Sequence, residues 1–347
     1  MSKLLVVVGI TGTQGGSVAD AFLDAGNWQV RGITRDPSKP AAQEWASRGV
    51  EMVSADMDNV ESLVTAFAGA QAIFTMTDYW YPIRDPAVRA KATERGISPD
   101  QICAELETQR GRNMALAAAS PQVQKTLERY VWSSLGDVSR LSGGKFTHVW
   151  HFDSKAAVEQ YIREDAGMAK SGLTDKASFI HVGLYTDNWR RSGAEIQKDP
   201  VTGGYWHISF DDCRTRLPFV WARKDTGPLV KKLVEDVQPG ARLLAVSQFA
   251  HYREFMAVWS KTLGVNLAGD DGIKRISEQE FRDMLPPIED IRDHLMSTWL
   301  FFFNFGYDGS DPKTIYPKDV RDTKTKDVSI AQFHINEILS RLEQNTF

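Results

Sequence analysis

Cysteine is scarce in this 347-residue chain, with only Cys103 and Cys213, so no disulfide framework can staple it. No cysteine and histidine spacing matches a zinc site either, and the expectation is a protein of a reducing, intracellular compartment. Long apolar runs are also missing. "KLLVVVGI" at the start is too short for a signal-peptide core and runs straight into glycines, and "STWLFFFNFGY" (297–307) falls well short of a membrane span. No excess of positive charge exists: the net charge is −4 and no basic stripe is concentrated anywhere, which argues against direct binding to nucleic acid. Internal repeats and low-complexity segments are absent as well. These exclusions lead to a cytosolic protein with no membrane role, able also to enter the nucleus.

What is present is the composition of an ordinary globular protein, 42% hydrophobic and 25% charged. The length suits one large α/β domain with an appended part, or two interleaved lobes. Residues 4–8, "LLVVV", read as a central parallel strand buried on both faces. Gly9, Gly12 and Gly15 follow at once, then "SVADAFLDAG", whose Val18, Ala21, Phe22 and Ala25 share one helical face and whose Gly26 stops the helix. Strand, glycine turn, helix and strand make a βαβ unit. Its turn lets backbone approach a pyrophosphate and aims helix N–H groups at the charge. The spacing is G-x-x-G-x-x-G rather than G-x-G-x-x-G, and a tight turn without ligand is the plainer alternative.

The second strand, "WQVRGITR", closes on Arg35, twenty residues past Gly15. An acid in that neighbourhood holds the ribose hydroxyls of NAD, whereas an arginine accommodates a 2′-phosphate. Arg35, with help from Lys39, therefore indicates NADP(H), although Asp36 beside it also suits a solvated surface arginine. Strand three, in "GVEMVSADMDN", ends at Asp56, which either lies near an adenine or caps the helix at 59–68.

Alternation continues through a strand at 70–77, a helix around 99–119, a strand at 129–135, a helix around 152–165 and a strand at 177–183. The expected fold is a Rossmann-type doubly wound parallel sheet with a smaller C-terminal substrate lobe. Residues 1–183 form the dinucleotide domain and 216–262 return to it, through "RLLAVSQ" and "YREFMAVWSKTLG". Segments 184–215 and 263–347 form the smaller lobe, with an amphipathic tail helix in "DVSIAQFHINEILSRLEQ" over the junction. Ligands of such sheets sit beyond the carboxyl ends of the strands where the order reverses. Thr77, Asp78, Tyr79 and Trp80 after strand four, and Ser133 and Ser134 in strand five, should therefore line the cleft.

In order along nearly the whole chain, "GITGTQGGSV", "ITRDPSKPAA", "VEMVSADMDN", "AIFTMTDYW", "ETQRGRNMALAA", "RYVWSSL", "HFDSKAAVEQYIRE" and "LPFVWARKDTGPLV" resemble the NmrA-like family. These are atypical members of the short-chain dehydrogenase/reductase superfamily. The resemblance implies a Rossmann lobe for NADP(H), with Gly9, Thr11, Gly12, Gln14 and Gly15 facing the pyrophosphate, Arg35 the 2′-phosphate and Lys155 the nicotinamide ribose. The family holds both redox-responsive regulators that bind dinucleotide without turnover and enzymes of secondary metabolism.

Hydride transfer to a carbonyl or imine also needs a proton donor. The wider superfamily uses serine with Tyr-x-x-x-Lys; the corresponding stretch here is His151-Phe-Asp-Ser-Lys155, with the lysine kept and the tyrosine gone. His151 and Lys155 share a helical face, and a neighbouring lysine favours neutral imidazole. Asp78, Tyr79, Tyr81, Tyr185, Ser133, Ser134 and Glu105 are further candidate donors, Glu105 being expected on a helix facing the same cleft. "TDYWYP", "YTDNWRR", "GGYWHISF" and "TWLFFFNFGY" contribute Trp80, Trp189, Trp206 and Trp299, as an apolar wall for a flat ligand or as lobe core.

The favoured reading is an NADPH-dependent oxidoreductase acting on a carbonyl or imine of an aromatic or alkaloid-like small molecule. Two alternatives stand beside it: a non-catalytic redox sensor that regulates a protein partner, and a redox-neutral imine cyclisation with the dinucleotide as scaffold. The charge run "PKDVRDTKTKD" (317–327) is either a docking face for such a partner or a solvated loop.

Overall fold

The computed structural model describes residues 2–192, 196–286 and 288–320. The tail helix expected within 327–344, and the charge run beyond residue 320, lie outside the described residues.

Fourteen strands are present among them: β1 (Lys3–Val8), β2 (Trp28–Thr34), β3 (Glu51–Ser54), β4 (Ala72–Thr75), β5 (Arg129–Ser134), β6 (Ala177–Val182), β7 (Leu184–Tyr185), β8 (Ile196–Lys198), β9 (Tyr205–Ser209), β10 (Leu217–Val220), β11 (Arg242–Ala245), β12 (Gln248–Ala250), β13 (Ile273–Arg275) and β14 (Thr314–Ile315). Eight of them build one parallel sheet in the order β14-β11-β6-β5-β4-β1-β2-β3. This is the doubly wound fold expected from the alternation. Two three-stranded sheets, β12-β10-β7 and β13-β9-β8, belong to the later part of the chain.

Successive side chains of a strand point to opposite faces, and β1 shows both being buried. Leu5 and Val7 join one core with Phe22 and Leu229, while Val6 and Val8 join another with Leu63, Trp132 and Phe179. That double burial is why the strand carries no polar alternation. Helix Pro99–Ala119 starts where Pro99 fixes the first turn and Ser98 Oγ accepts from Gln101 N, and it gives way at Ser120, the cap of the next short helix. Helix Trp150–Glu164 packs against it so closely that a Cβ on Gly111 would lie 2.5 Å from Val158.

The smaller lobe has its own core around Phe219, Tyr252, Phe255, Phe301 and Phe302, and Phe152 of the Rossmann part inserts into it. Of the two segments expected to return to the main sheet, "RLLA" does so as β11. Helix Tyr252–Leu263 instead buries Phe255, Met256 and Trp259 in the lobe core, because its apolar side faces β9 and the lobe aromatics. Thr314–Ile315, from the stretch assigned to the lobe, pairs with β11 and closes the sheet edge.

A buried ionic network fastens that edge. Glu159 accepts from His181 on β6 at 2.9 Å, from Arg163 at 3.0 Å and from Arg242 on β11 at 2.6 Å, and Arg242 reaches Asp311 at 2.7 Å. Burial alone would raise the Glu159 carboxyl, but the charges of His181, Arg242 and Arg163 outweigh it and hold it well below the carboxylate range.

Candidate active site

The strand order reverses between β1 and β4, and in open sheets of this kind the ligand crevice lies beyond the carboxyl ends at that point. Gly9 follows β1 with φ +76°, a left-handed conformation that favours glycine, and Gly12 N donates back to Gly9 O at 2.9 Å. Helix Thr13–Ala25 begins there with no side-chain cap, so its first N–H groups are available to an anion. A Cβ at Gly15 would stand 2.2 Å from Gly9 O, which leaves glycine as the residue that fits. Thr11 and Gly12 are exposed at the mouth of this turn. Gln14 is buried and its amide is committed to protein: Ser133 Oγ donates to Oε1 at 2.7 Å, and Nε2 donates to the Tyr185 hydroxyl at 2.8 Å. It thereby bridges β5 and β7, and Tyr185 is placed over the glycine-loop helix.

Arg35 is exposed at the end of β2, and among the described residues no hydrogen bond or ion pair holds its guanidinium. The group lies 5.5 Å from the ring of Tyr81, which comes from the loop after β4. Lys39 is exposed at the start of the next helix, near Asp36. Asp56 does not cap helix Val60–Phe67; Asn59 does, accepting from Ser62 N, while Asp56 accepts from Asp58 N in the preceding turn. A two-pronged contact from Arg110, with a smaller effect of the Arg35 charge, holds the Asp58 carboxyl below the usual range.

Beyond β4, Thr77 is buried and its hydroxyl has no partner among the described residues. Asp78 is exposed and turns the chain, accepting from Trp80 N at 3.0 Å and Tyr81 N at 3.3 Å. Across the crevice, Lys155 Nζ donates to Glu107 Oε1 at 2.5 Å and Ser154 Oγ donates to Glu107 Oε2 at 2.5 Å. The Glu107 side chain is 1% exposed and that of Lys155 11%. Beneath them, Trp132 Nε1 and Ser134 Oγ both donate to the Lys155 carbonyl, so β5 fixes the turn of helix that presents the lysine.

Glu105 does not face this cleft. It points outward on helix Pro99–Ala119, where Arg95 grips it with both guanidinium nitrogens. The buried carboxylate is Glu107, two residues on and on the opposite side of the helix. Asp100, Cys103 and Glu107 form its buried stripe, and helical spacing from Cys103 to Gly111 could have found Glu107 in the sequence. Burial, then the charges of Asp100 and Glu107, push the Cys103 thiol up to about 12, so it is no nucleophile.

His151, one turn before Lys155, is paired through its Nδ1 with the lobe and not with Glu107. Its Nδ1 lies 2.6 Å from Nε2 of His294, whose Nδ1 lies 3.2 Å from Asp100 Oδ1. The Tyr79 hydroxyl donates to that same Oδ1 at 2.8 Å, and burial followed by the Asp100 charge raises its phenol far above the ordinary range. Trp80 covers the pair, stacked on His294 at 5.2 Å and tilted against His151 at 5.2 Å. Burial, then His294, then Lys155, hold the His151 imidazole well below its ordinary value, so it is neutral near pH 7 and no imidazolium donor at rest. His294 has no local sequence signal, since it stands 143 residues from its partner.

Of the aromatic wall, only Trp80 reaches this site. Trp189 packs on Trp259, Trp299 on Phe303, and Trp206 within a lobe cluster. A groove of about 720 Å³ at the amino ends of β1, β2 and β5, lined by Lys3, Trp28 and Arg129, lies on the other side of the sheet from the crevice. Among the described residues no helix is long and apolar enough to cross a membrane, and no group of acids, histidines and cysteines could hold a metal.

Residues 1–329 match the model of the NmrA-like family. Similar chains include the "NmrA-like family domain-containing oxidoreductase FrzB" of Cladobotryum sp, 26% identical over 281 residues, which are 76% of this chain and 74% of that one. Among solved structures, the negative transcriptional regulator NmrA in complex with NADP aligns with a TM-score of 0.64 at 18% identity, covering 100% of this chain and 92% of that one. The binary complex of leucoanthocyanidin reductase with NADPH from Vitis vinifera gives a TM-score of 0.64 at 16% identity, with 97% and 98% covered. The chain belongs to the NmrA-like family.

Proposed function

We propose that this member of the NmrA-like family binds NADP(H) and is a cytosolic oxidoreductase acting on a carbonyl or imine of an aromatic or alkaloid-like small molecule, in secondary metabolism. The observation that carries the reading is the meeting, at one crevice, of an uncapped glycine-turn helix and a buried lysine held by Glu107 and Ser154. The relative from Cladobotryum sp named an oxidoreductase, and the fold shared with proteins crystallised with NADP or NADPH, support it.

The residues present fit such a cofactor. Gly9 and Gly15 let the turn close tightly where a Cβ would strike Met76 or Gly9 O, and among the described residues the Thr77 hydroxyl lacks a partner and no hydrogen bond or ion pair holds the Arg35 guanidinium. When bound, the reduced nicotinamide supplies hydride. Gly9, Gly12 and Gly15 would hold the pyrophosphate and Arg35, with Lys39 near it, the 2′-phosphate. Lys155, paired with Glu107, would hold the ribose and lend positive charge to an oxygen or nitrogen that gains electrons. Tyr185, whose hydroxyl accepts from Gln14, stands over the glycine turn that would face the cofactor. Glu105 and Asp78 have no such part, because Arg95 occupies the first and backbone N–H groups the second. Trp80 and Tyr81, 39% and 64% exposed, offer a flat substrate its aromatic contact.

The test is a titration of the protein with NADPH and NADH, followed by a panel of aromatic carbonyls and cyclic imines with NADPH consumption as the readout. Selective NADPH binding with turnover of a panel member supports the reading. Selective binding without turnover on any carbonyl or imine would point instead to a sensor that reports to a protein partner, and no binding would end the proposal.

A further inference from the structure

Asp100, His294 and His151 form a hydrogen-bonded line from the buried start of helix Pro99–Ala119, through the lobe helix Glu289–Phe305, to the face of helix Trp150–Glu164 that carries Lys155. Asp100 and His294 are fully buried, while His151 is half-buried and reaches the edge of the crevice. The direction of every bond follows from one end. Asp100 Oδ1 already accepts from the Tyr79 hydroxyl, so it is an acceptor and His294 Nδ1 must carry the proton between them. If that is the only ring proton of His294, its Nε2 is bare. Across the 2.6 Å contact His151 must therefore donate from Nδ1, which leaves the lone pair on its own Nε2.

We infer that Asp100 and His294 are positioning residues that lock His151 in the tautomer with a bare Nε2, making it the proton acceptor of the crevice. The inference rests on the oxidoreductase reading and deepens it. As a substrate carbon gives up hydride to the oxidised nicotinamide, the proton on its adjacent O–H or N–H passes to His151 Nε2, and the C–O or C–N bond gains a second bond. The positive charge formed on His151 is shared along the line, its Nδ1 proton shifting toward His294 Nε2 and the His294 proton toward Asp100. In the reverse direction the same nitrogen returns the proton to the reduced substrate. Lys155 supplies charge to this exchange and His151 takes up the proton, which assigns two roles to the i,i+4 pair. Trp80, lying over both imidazoles, shields the line from water.

The tautomer can be read directly, without cofactor. In protein labelled with ¹⁵N-histidine, long-range ¹H–¹⁵N correlation at pH 7 should show His151 neutral, protonated at Nδ1 and bare at Nε2. His294→Phe removes the acceptor and should move the His151 proton toward Nε2, while His294→Gln, whose amide oxygen can accept, should restore the wild-type pattern. With a turned-over substrate, His294→Phe should lower kcat about 100-fold with little change in cofactor affinity, and His294→Gln should recover much of it. A wild-type His151 protonated at Nε2, or doubly protonated, overturns the inference even if a variant fails to fold, as does a tautomer indifferent to His294→Phe. Failure to bind NADP(H) with the expected tautomer intact would overturn the oxidoreductase reading instead.

Discussion

Lys155 and Glu107 face each other at 2.5 Å with almost no solvent access, so removing either charge should be costly and removing both should not. At that separation and an effective dielectric near 20, the attraction is about 7 kcal/mol before desolvation. Glu107→Leu would leave the ammonium buried without its counter-charge and Ser154 Oγ without its acceptor. Lys155→Met would strand the carboxylate. Each single change is expected to destabilise the fold by about 3 to 5 kcal/mol, the ordinary cost of a broken buried pair. The double variant places two apolar side chains of similar volume in the same space and should cost far less than the sum, with a coupling of about 3 kcal/mol. Urea unfolding followed by tryptophan fluorescence measures all four proteins, since the chain carries 10 tryptophans. Single variants costing under about 1 kcal/mol, or a double variant equal to the sum of the singles, would refute the buried ion pair.

Arg35→Ala should weaken NADPH by roughly 10- to 100-fold, the worth of a charge-assisted phosphate contact, and leave NADH nearly unchanged; equal losses in parallel titrations would remove the 2′-phosphate assignment. Gly15→Ala must push the glycine turn by about 1 Å to relieve its contact with Gly9 O, and the loss of two backbone donors predicts about 100-fold weaker dinucleotide binding by calorimetry. Gly111→Ala should cost about 1 to 3 kcal/mol in urea unfolding, because its Cβ meets Val158 and Trp132 in a filled core. His151 titrates near 6.5 when unfolded and well below that when folded, so the unfolded chain binds more protons as pH falls. Stability should decline below about pH 6.5 by up to about 1.4 kcal/mol per unit, and His151→Gln should flatten that slope between pH 7.5 and 5.5.

Much of the Rossmann part is legible because its signals are local. Residues 5–8 of the first strand are buried on both faces, Gly26 takes a left-handed φ of 73° where the first helix stops, and the reading of a helix over 99–119 has the observed limits because Ser98, Pro99 and Ser120 mark them. Helix Pro86–Arg95 gives almost no pattern, since only Val88 and Ala92 are buried among charged neighbours. Strands β8, β9 and β13 are three to five residues long; β8 and β9 form a short hairpin, and β13 exists through pairing with β9 far earlier in the chain. The site divides the same way. The glycine turn can be read from spacing and Lys155 from the family resemblance, whereas His294 and Glu107 are brought in by packing, and Glu105 is displaced from the cleft by helix phase, its side chain turned to solvent and Arg95.

Hydride transfer decides the central claim. The protein would be incubated with NADPH deuterated at the nicotinamide C4, each face in turn, together with the panel of aromatic carbonyls and cyclic imines, and the products read by mass spectrometry. The account expects deuterium from one face in a reduced product, at a rate that falls sharply in Lys155→Ala. Tight NADPH binding with no label moved to any acceptor, or label transfer indifferent to Lys155→Ala, would contradict it.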